Sequence, residues 1–299
     1  MFSTIVAALF GLATGSFLAL CIYRIPRSRE DFPELLLPID DSALEADVVQ
    51  PTPHKVVRIH DPARSFCPTC ERTLAWWHNI PLLSWFLLRG RCAFCKTPIS
   101  ARYPFVEFLG GLVAVLSVQM YGVTPTAVLV FVFCCALIVL SFIDYDFYII
   151  PNVISLPGTA IGVGIAAINQ FFGIFSYPVV GNLTESFFGF LMGAGFLFII
   201  SEVYMRLRKK EGLGMGDVKL LAMVGVTFGA PAALSTIFIG SLLGAIFGLL
   251  LIVVGGRRFS QPLPFGPYLA FGTVIHLFAG DHIIAALGTP YASLLTVFV

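Results

Sequence analysis

The sequence predicts an all-α polytopic membrane protein that crosses the bilayer about eight times, and three observations carry that expectation. Of its 299 residues, 58% are hydrophobic and only 12% charged, where soluble domains are roughly 45–50% apolar. Apolar runs long enough to cross a hydrocarbon layer about 30 Å thick recur along the chain. Period-two alternation is nearly absent, which argues against a barrel and leaves helices to satisfy the backbone polar groups in lipid.

The runs fall at 3–23, 104–121, 125–143, 149–173, 183–205, 217–231, 233–254 and 264–284. The first begins close to the start and lacks the basic lead-in and small-residue cleavage site of a removed signal peptide, so it is read as a span. The sixth is short and carries glycine. Cations set the orientation: residues 24–103 hold eleven Lys or Arg, 206–219 hold five, and Arg257 and Arg258 complete the 18. Counted along the spans, these segments and the 144–149 turn share one face, whereas the opposite loops near 122–124, 174–182 and 232 hold none. The positive-inside rule makes the basic face cytoplasmic and the N-terminus external. The net charge of +1 therefore says little about partners. Lipid is expected around the spans and no nucleic acid is implied.

Between the first two spans lies one water-exposed insertion, 24–103. Its stretch 30–50 is acidic and reads as a surface loop. Further on, Cys67-Pro-Thr-Cys70 and Cys92-Ala-Phe-Cys95 form two Cys-x-x-Cys knuckles with 21 residues between them, one beyond the usual zinc-ribbon spacing. Four thiolates so arranged suit tetrahedral zinc. Two disulfides are the alternative, but they rarely persist on the reducing side where this loop is placed. A site of four sulfurs is closed, so such a zinc folds the loop and does not activate water. His78, between the knuckles, is a possible substitute ligand. Cys21, Cys134 and Cys135 lie in apolar spans and read as packing residues.

Charged groups in or near a span are costly, at least about 2.5 kcal/mol at mid-bilayer. The acids in or bordering spans are Glu107, Asp144, Asp146, Glu185, Glu202, Asp217 and Asp281. Glu185, Glu202 and Asp281 read as solvated or headgroup-level acids. Asp144 and Asp217 both fall at cytoplasmic helix ends and can meet at one depth. Asp217 follows Gly212-Leu-Gly214-Met-Gly216, where missing side chains permit close backbone approach and a turn into the helix. Two carboxylates sharing a site cannot both ionise cheaply, so one keeps a proton while the other polarises a water. That is the arrangement of aspartic proteases. An N-cap role for Asp217 and an interface role for Asp144 explain the spacing equally well.

Ordered landmarks then accumulate: Gly15-Ser16-Phe17-Leu18 with Arg24-Ile25-Pro26; the two knuckles; Trp77-His78-Asn79-Ile80-Pro81-Leu82-Leu83-Ser84-Trp85; Arg102-Tyr103-Pro104 with Glu107; Asp144 ahead of Pro151; Gly214-Met-Gly216-Asp217-Val218-Lys219; and Pro264-Phe265-Gly266-Pro267-Tyr268. With these the chain resembles the bacterial type IV prepilin peptidases, membrane aspartic proteases of the Gly-x-Gly-Asp type, nearly end to end. The resemblance implies an inner-membrane enzyme that cuts the basic leader from prepilins and type II secretion pseudopilins after a glycine. Its catalytic aspartates map onto Asp217 and Asp144, with Asp146 the weaker candidate. It also implies N-methylation of the new terminus by S-adenosylmethionine, associated with the cysteine-bearing loop, where Gly90 and Arg91 are methyl-transfer candidates; Arg91 stands where relatives often carry Lys. Lys219 and the 206–210 basic cluster are expected to bind anionic lipid. The implied organisation is a first span at 1–23, a zinc-binding, methyltransferase-associated region at 24–103 and a peptidase region at 104–299. Substrate identity and oligomeric state are not legible here. The alternative function is a cation- or proton-coupled transporter, which requires inverted repeats and acids near the midplane.

Overall fold

The computed structural model describes residues 2–28, 65–67, 69–209, 214–254 and 263–287, the last seven by backbone only. The acidic stretch 30–50, Lys210, Arg257 and Arg258, and the side chain of Asp281 lie outside it. Every regular element described is helical: α1 Phe2–Arg27, the short α2 Leu83–Leu87, α3 Arg102–Tyr121, α4 Pro125–Phe147, α5 Asn152–Phe172, α6 Leu183–Arg208, α7 Met215–Val253 and α8 Gly266–Leu287. Six of these (α1, α3, α4, α5, α6 and α7) are long and apolar enough to cross a membrane. Their outer faces carry bare aromatics such as Phe171, 77% exposed, and Phe238, 70% exposed, a surface suited to lipid and not to water.

Helix α7 accounts for two of the predicted runs. At about 1.5 Å per residue a straight helix of its 39 residues would rise about 58 Å, twice the hydrocarbon thickness. It is broken at Gly229, whose φ of 82° and ψ of −179° are open only to glycine. The break was expected at 232; it falls three residues earlier because the next glycine-like freedom is absent there. Pro231 has no N–H, so the Thr227 carbonyl loses its helical donor and instead accepts from the Val180 amide at 3.1 Å. The Val226 carbonyl likewise accepts from the Ser186 hydroxyl at 2.8 Å. The two halves fold back on each other. A Cβ on Gly193 would lie 2.5 Å from the Leu221 oxygen and 3.3 Å from the Ala233 Cβ, which puts those atoms within about 6 Å of each other, where a straight helix would separate the two residues by about 18 Å. With α7 divided and α8 added, the helices correspond to the eight predicted runs.

The chain forms two compact units, Met1–Val115 and Leu116–Val299. In the first, α1 and α3 cross at glycines. A Cβ on Gly11 would stand 2.5 Å from the Gly110 oxygen and one on Gly15 2.6 Å from the Glu107 Cα, so backbones meet where side chains would hold them apart. The knuckle region completes this unit. In the second, Leu137, Leu140, Ile143, Leu220, Leu221 and Met223 are fully buried, all on α4 and the first half of α7. Gly189 of α6 and Gly225 of α7 touch through their backbones, and a Cβ on either would overlap the other's carbonyl. A π-turn at Leu191–Gly195 follows directly. Glu185 is part of a cap: its amide donates to Asn182 Oδ1 at 2.8 Å while its Oε2 accepts from the Gly181 amide at 2.7 Å. Glu202 pairs with Arg206 at 2.8 Å.

Candidate active site and metal centre

Asp144 lies in the last turn of α4, which runs four residues past its expected end and closes on Tyr148, a left-handed residue (φ 55°) whose amide donates to the Asp144 carbonyl at 2.8 Å. The C-terminus of a helix is a poor place for a negative charge. The carboxyl group is nonetheless buried, 6% exposed, and its Oδ2 accepts the Gly266 amide of α8 at 2.9 Å. That amide opens the 22-residue α8, so the positive end of one helix compensates the negative end of another. A Cβ on residue 266 would stand 2.8 Å from Asp144 Oδ2, so any larger residue there would push the carboxylate aside.

Asp217 sits at the third position of α7, after a Gly214 that takes the N-cap place with extended backbone. The capping explanation for Asp217 is therefore corrected: Gly214 caps, and Asp217 turns inward, 7% exposed. Its amide donates to the Gly214 carbonyl at 3.1 Å. The strand of chain that follows Asp144 packs against this turn. A Cβ on Gly216 would lie 3.0 Å from Ile150 Cβ, and Lys219 Nζ donates to Asn152 Oδ1 at 2.8 Å, so this lysine engages the chain itself. The result is two buried carboxyl groups close enough for the charge of Asp144 to act on Asp217. Asp146 points outward and is exposed. In the sequence Gly266 is only part of a landmark; the signal for its role is a Pro-Phe-Gly-Pro stretch opening a helix, whose first amides have no intrahelical partner.

In the other unit, Cys67, Cys70, Cys92 and Cys95 bring their sulfurs within 4.8 Å of one another. The two knuckles repeat the same fold 25 residues apart. Cys67 and Cys92 donate amides to the Arg72 and Thr97 carbonyls at 3.0 and 2.8 Å and accept from the Glu71 and Lys96 amides at 2.8 and 3.1 Å; Glu71 and Lys96 are both left-handed; and bridges join Phe66 to Thr73 and Arg91 to Pro98. All four cysteines are free thiols. The Cys67–Cys95 sulfur separation is 3.7 Å, matching the edge of about 3.8 Å that a tetrahedron with metal–sulfur bonds of about 2.3 Å requires. The Thr97 hydroxyl and amide hold the Cys95 thiol down to about 6. Burial opposes ionisation at Cys67, but the Cys70 and Thr69 amides outweigh it and lower that thiol too. The donor set fits a metal ion bound through thiolates, without His78.

Gly90 and Arg91 support the second knuckle. Gly90 is left-handed (φ 65°), and a Cβ there would press on Trp85 at 2.9 Å; the Trp85 indole N–H donates to the Ile99 carbonyl at 3.1 Å. Arg91 is exposed. Glu107 faces inward: its Oε2 accepts the Leu82 amide at 2.7 Å, which holds α2 to α3.

Fold and site together define a polytopic helical protein with a buried carboxylate pair in one unit and a thiolate cluster in the other. The profile of the bacterial peptidase A24 N-terminal domain matches residues 9–121, and that of the type IV leader peptidase family matches 131–249. A prepilin leader peptidase/N-methyltransferase of Burkholderia pseudomallei (strain 1026b) is 35% identical over 288 residues, 94% of this chain and 87% of the relative. Proteins of the same name from Pseudomonas aeruginosa and Aeromonas salmonicida (strain A449) are 34% and 36% identical, each over 92% of this chain and 90% of the relative. The chain belongs to the type IV leader peptidase family. No solved structure matches it.

Proposed function

We propose that the protein is a bifunctional membrane enzyme that cleaves the basic leader of prepilins and type II pseudopilins after a glycine and N-methylates the exposed terminus. The observation that carries the cleavage reading is the pair Asp144 and Asp217: two acids from distant segments, both under a tenth exposed, each in a terminal turn of its helix and within electrostatic reach. Asp144, holding a backbone N–H, is the ionised partner and the base. Asp217 keeps the proton, since two neighbouring carboxylates do not share a buried site as two anions. A water between them loses a proton to Asp144 as it attacks the peptide carbon, and Asp217 donates to the carbonyl oxygen. The protonated Asp144 then gives its proton to the departing amide nitrogen as the C–N bond breaks, and Asp217 takes its proton back from a hydroxyl of the collapsing diol, which restores the pair. Glycine before the cut gives the substrate the extended backbone that a buried site needs.

The distribution of Lys and Arg supports a cytoplasmic position for both sites at a bacterial inner membrane, where the substrate's basic leader remains among headgroups. The segments 1–23, 24–103 and 104–299 serve as first span, metal-bearing region and peptidase. Zinc on Cys67, Cys70, Cys92 and Cys95 clips the knuckles together. S-adenosylmethionine, when bound, supplies an electrophilic methyl group. The transporter alternative calls for acids at mid-span, and both acids lie instead at helix ends. Co-expression with a prepilin tests the reading: Asp144→Asn and Asp217→Asn are each expected to leave the leader attached, and normal processing by either variant refutes the pair.

A further inference from the structure

A cavity of about 290 Å³ lies within the first unit, against the knuckles and bounded by α1, α2 and α3. Its volume is near the lower end of small-molecule sites, and the metal chemistry does not explain it, because a four-sulfur centre is closed to ligands. Its wall mixes opposite charges. Arg24, only 3% exposed, and Glu107 both line it. Trp85 and Tyr103 add aromatic surface. His78 also lines it, and its Nδ1 is buried with no hydrogen-bond partner. A buried polar atom left without a partner calls for a reason, and an absent ligand is one.

We propose that this cavity is the methyl-donor site and takes an adenosyl amino acid, held by Arg24 at its carboxylate, by Glu107 at its cationic groups, by Trp85 at the base and by His78 at a polar edge. This rests on the methyltransferase reading given above. Each part of the ligand has a counterpart in the wall. Guanidinium groups pair with carboxylates bidentately, aromatic faces stack on bases and attract cations, and the buried imidazole nitrogen gains a partner. The candidates Gly90 and Arg91 are not among the lining residues; Gly90 acts at one remove, by leaving room for Trp85.

The probe is S-adenosylhomocysteine, titrated calorimetrically into the purified full-length protein. His78→Leu is expected to weaken its binding at least tenfold, and Ser84→Phe, which fills the cavity from α2, to abolish it, while both variants keep their metal and still cleave prepilin. All three tryptophans, Trp76, Trp77 and Trp85, lie in this unit. A W76F/W77F protein therefore reports Trp85 alone, and its emission is expected to shift on titration. This second measurement leaves the cavity intact and stands even if a filled cavity misfolds. Full-strength binding to both variants, or binding with no change in Trp85 emission, overturns the location and leaves the methyltransferase reading in place. A wild-type protein that cleaves prepilin but neither binds the probe nor transfers methyl overturns that reading, and the location with it.

Discussion

The two units build their reactive groups by opposite routes. In the first, four thiols are gathered by two copies of one short turn, each defined by hydrogen bonds within six residues. In the second, two carboxyl groups are gathered by helix ends that come from positions 144, 217 and 266, and no local pattern joins them. The lesson is that a cluster made of turns resists change elsewhere in the molecule, whereas a pair made of helix ends depends on every crossing that sets those ends.

The sharpest way to break this contrast is at the acids themselves. Asp144→Asn or Asp217→Asn is expected to cut leader removal by on the order of 10²–10⁴-fold, the range of a lost acid–base group, while methylation of a pre-cleaved pilin continues. Loss of both activities in a folded variant would show that the units do not work separately. Next in size is Gly266→Ala. Its Cβ would press on Asp144 Oδ2, and displacement by about 1 Å costs roughly 10²-fold in rate, read as a fall in cleavage with metal content unchanged.

Crossings come third. Gly225→Ala overlaps the Gly189 carbonyl and is expected to destabilise by about 1–3 kcal/mol or more, seen as a lower melting temperature in detergent and reduced cleavage. Acidification addresses the turn-built cluster. The Cys95 thiol is held down to about 6 while Cys70 beside it is pushed up to about 11, so the four sulfurs ionise together only when a metal holds them. Because protons compete with metal for the thiolates, elemental analysis is expected to find metal retained at neutral pH and released on acidification. The smallest effect belongs to Asp146→Asn, since that carboxyl is exposed; near-normal cleavage is expected, and a loss as deep as that of Asp144→Asn would reassign the pair.

Legibility in the sequence followed the same division. The spans and the knuckles could be read, because a run of apolar residues and a Cys-x-x-Cys spacing are each local statements. The residues Asp144 and Asp217 could be singled out as acids at helix ends, but their inward direction could not, since capping explained Asp217 as well. The break in α7 was expected at 232 and occurs at Gly229, because φ and ψ are properties of backbone packing that hydropathy does not carry. The Gly266 amide was invisible as a functional group for a simpler reason: a main-chain donor has no letter of its own. Glu107 likewise reads as one more acid near a span until Leu82, 25 residues earlier, is seen to need its oxygen.

The hold on Asp144 by the first amide of α8 has a pharmacological corollary. A compound wedged between the start of α8 and the end of α4 would displace the Asp144 carboxyl group from its amide, and enlarging a side chain at position 266 to evade it would itself crowd the carboxylate.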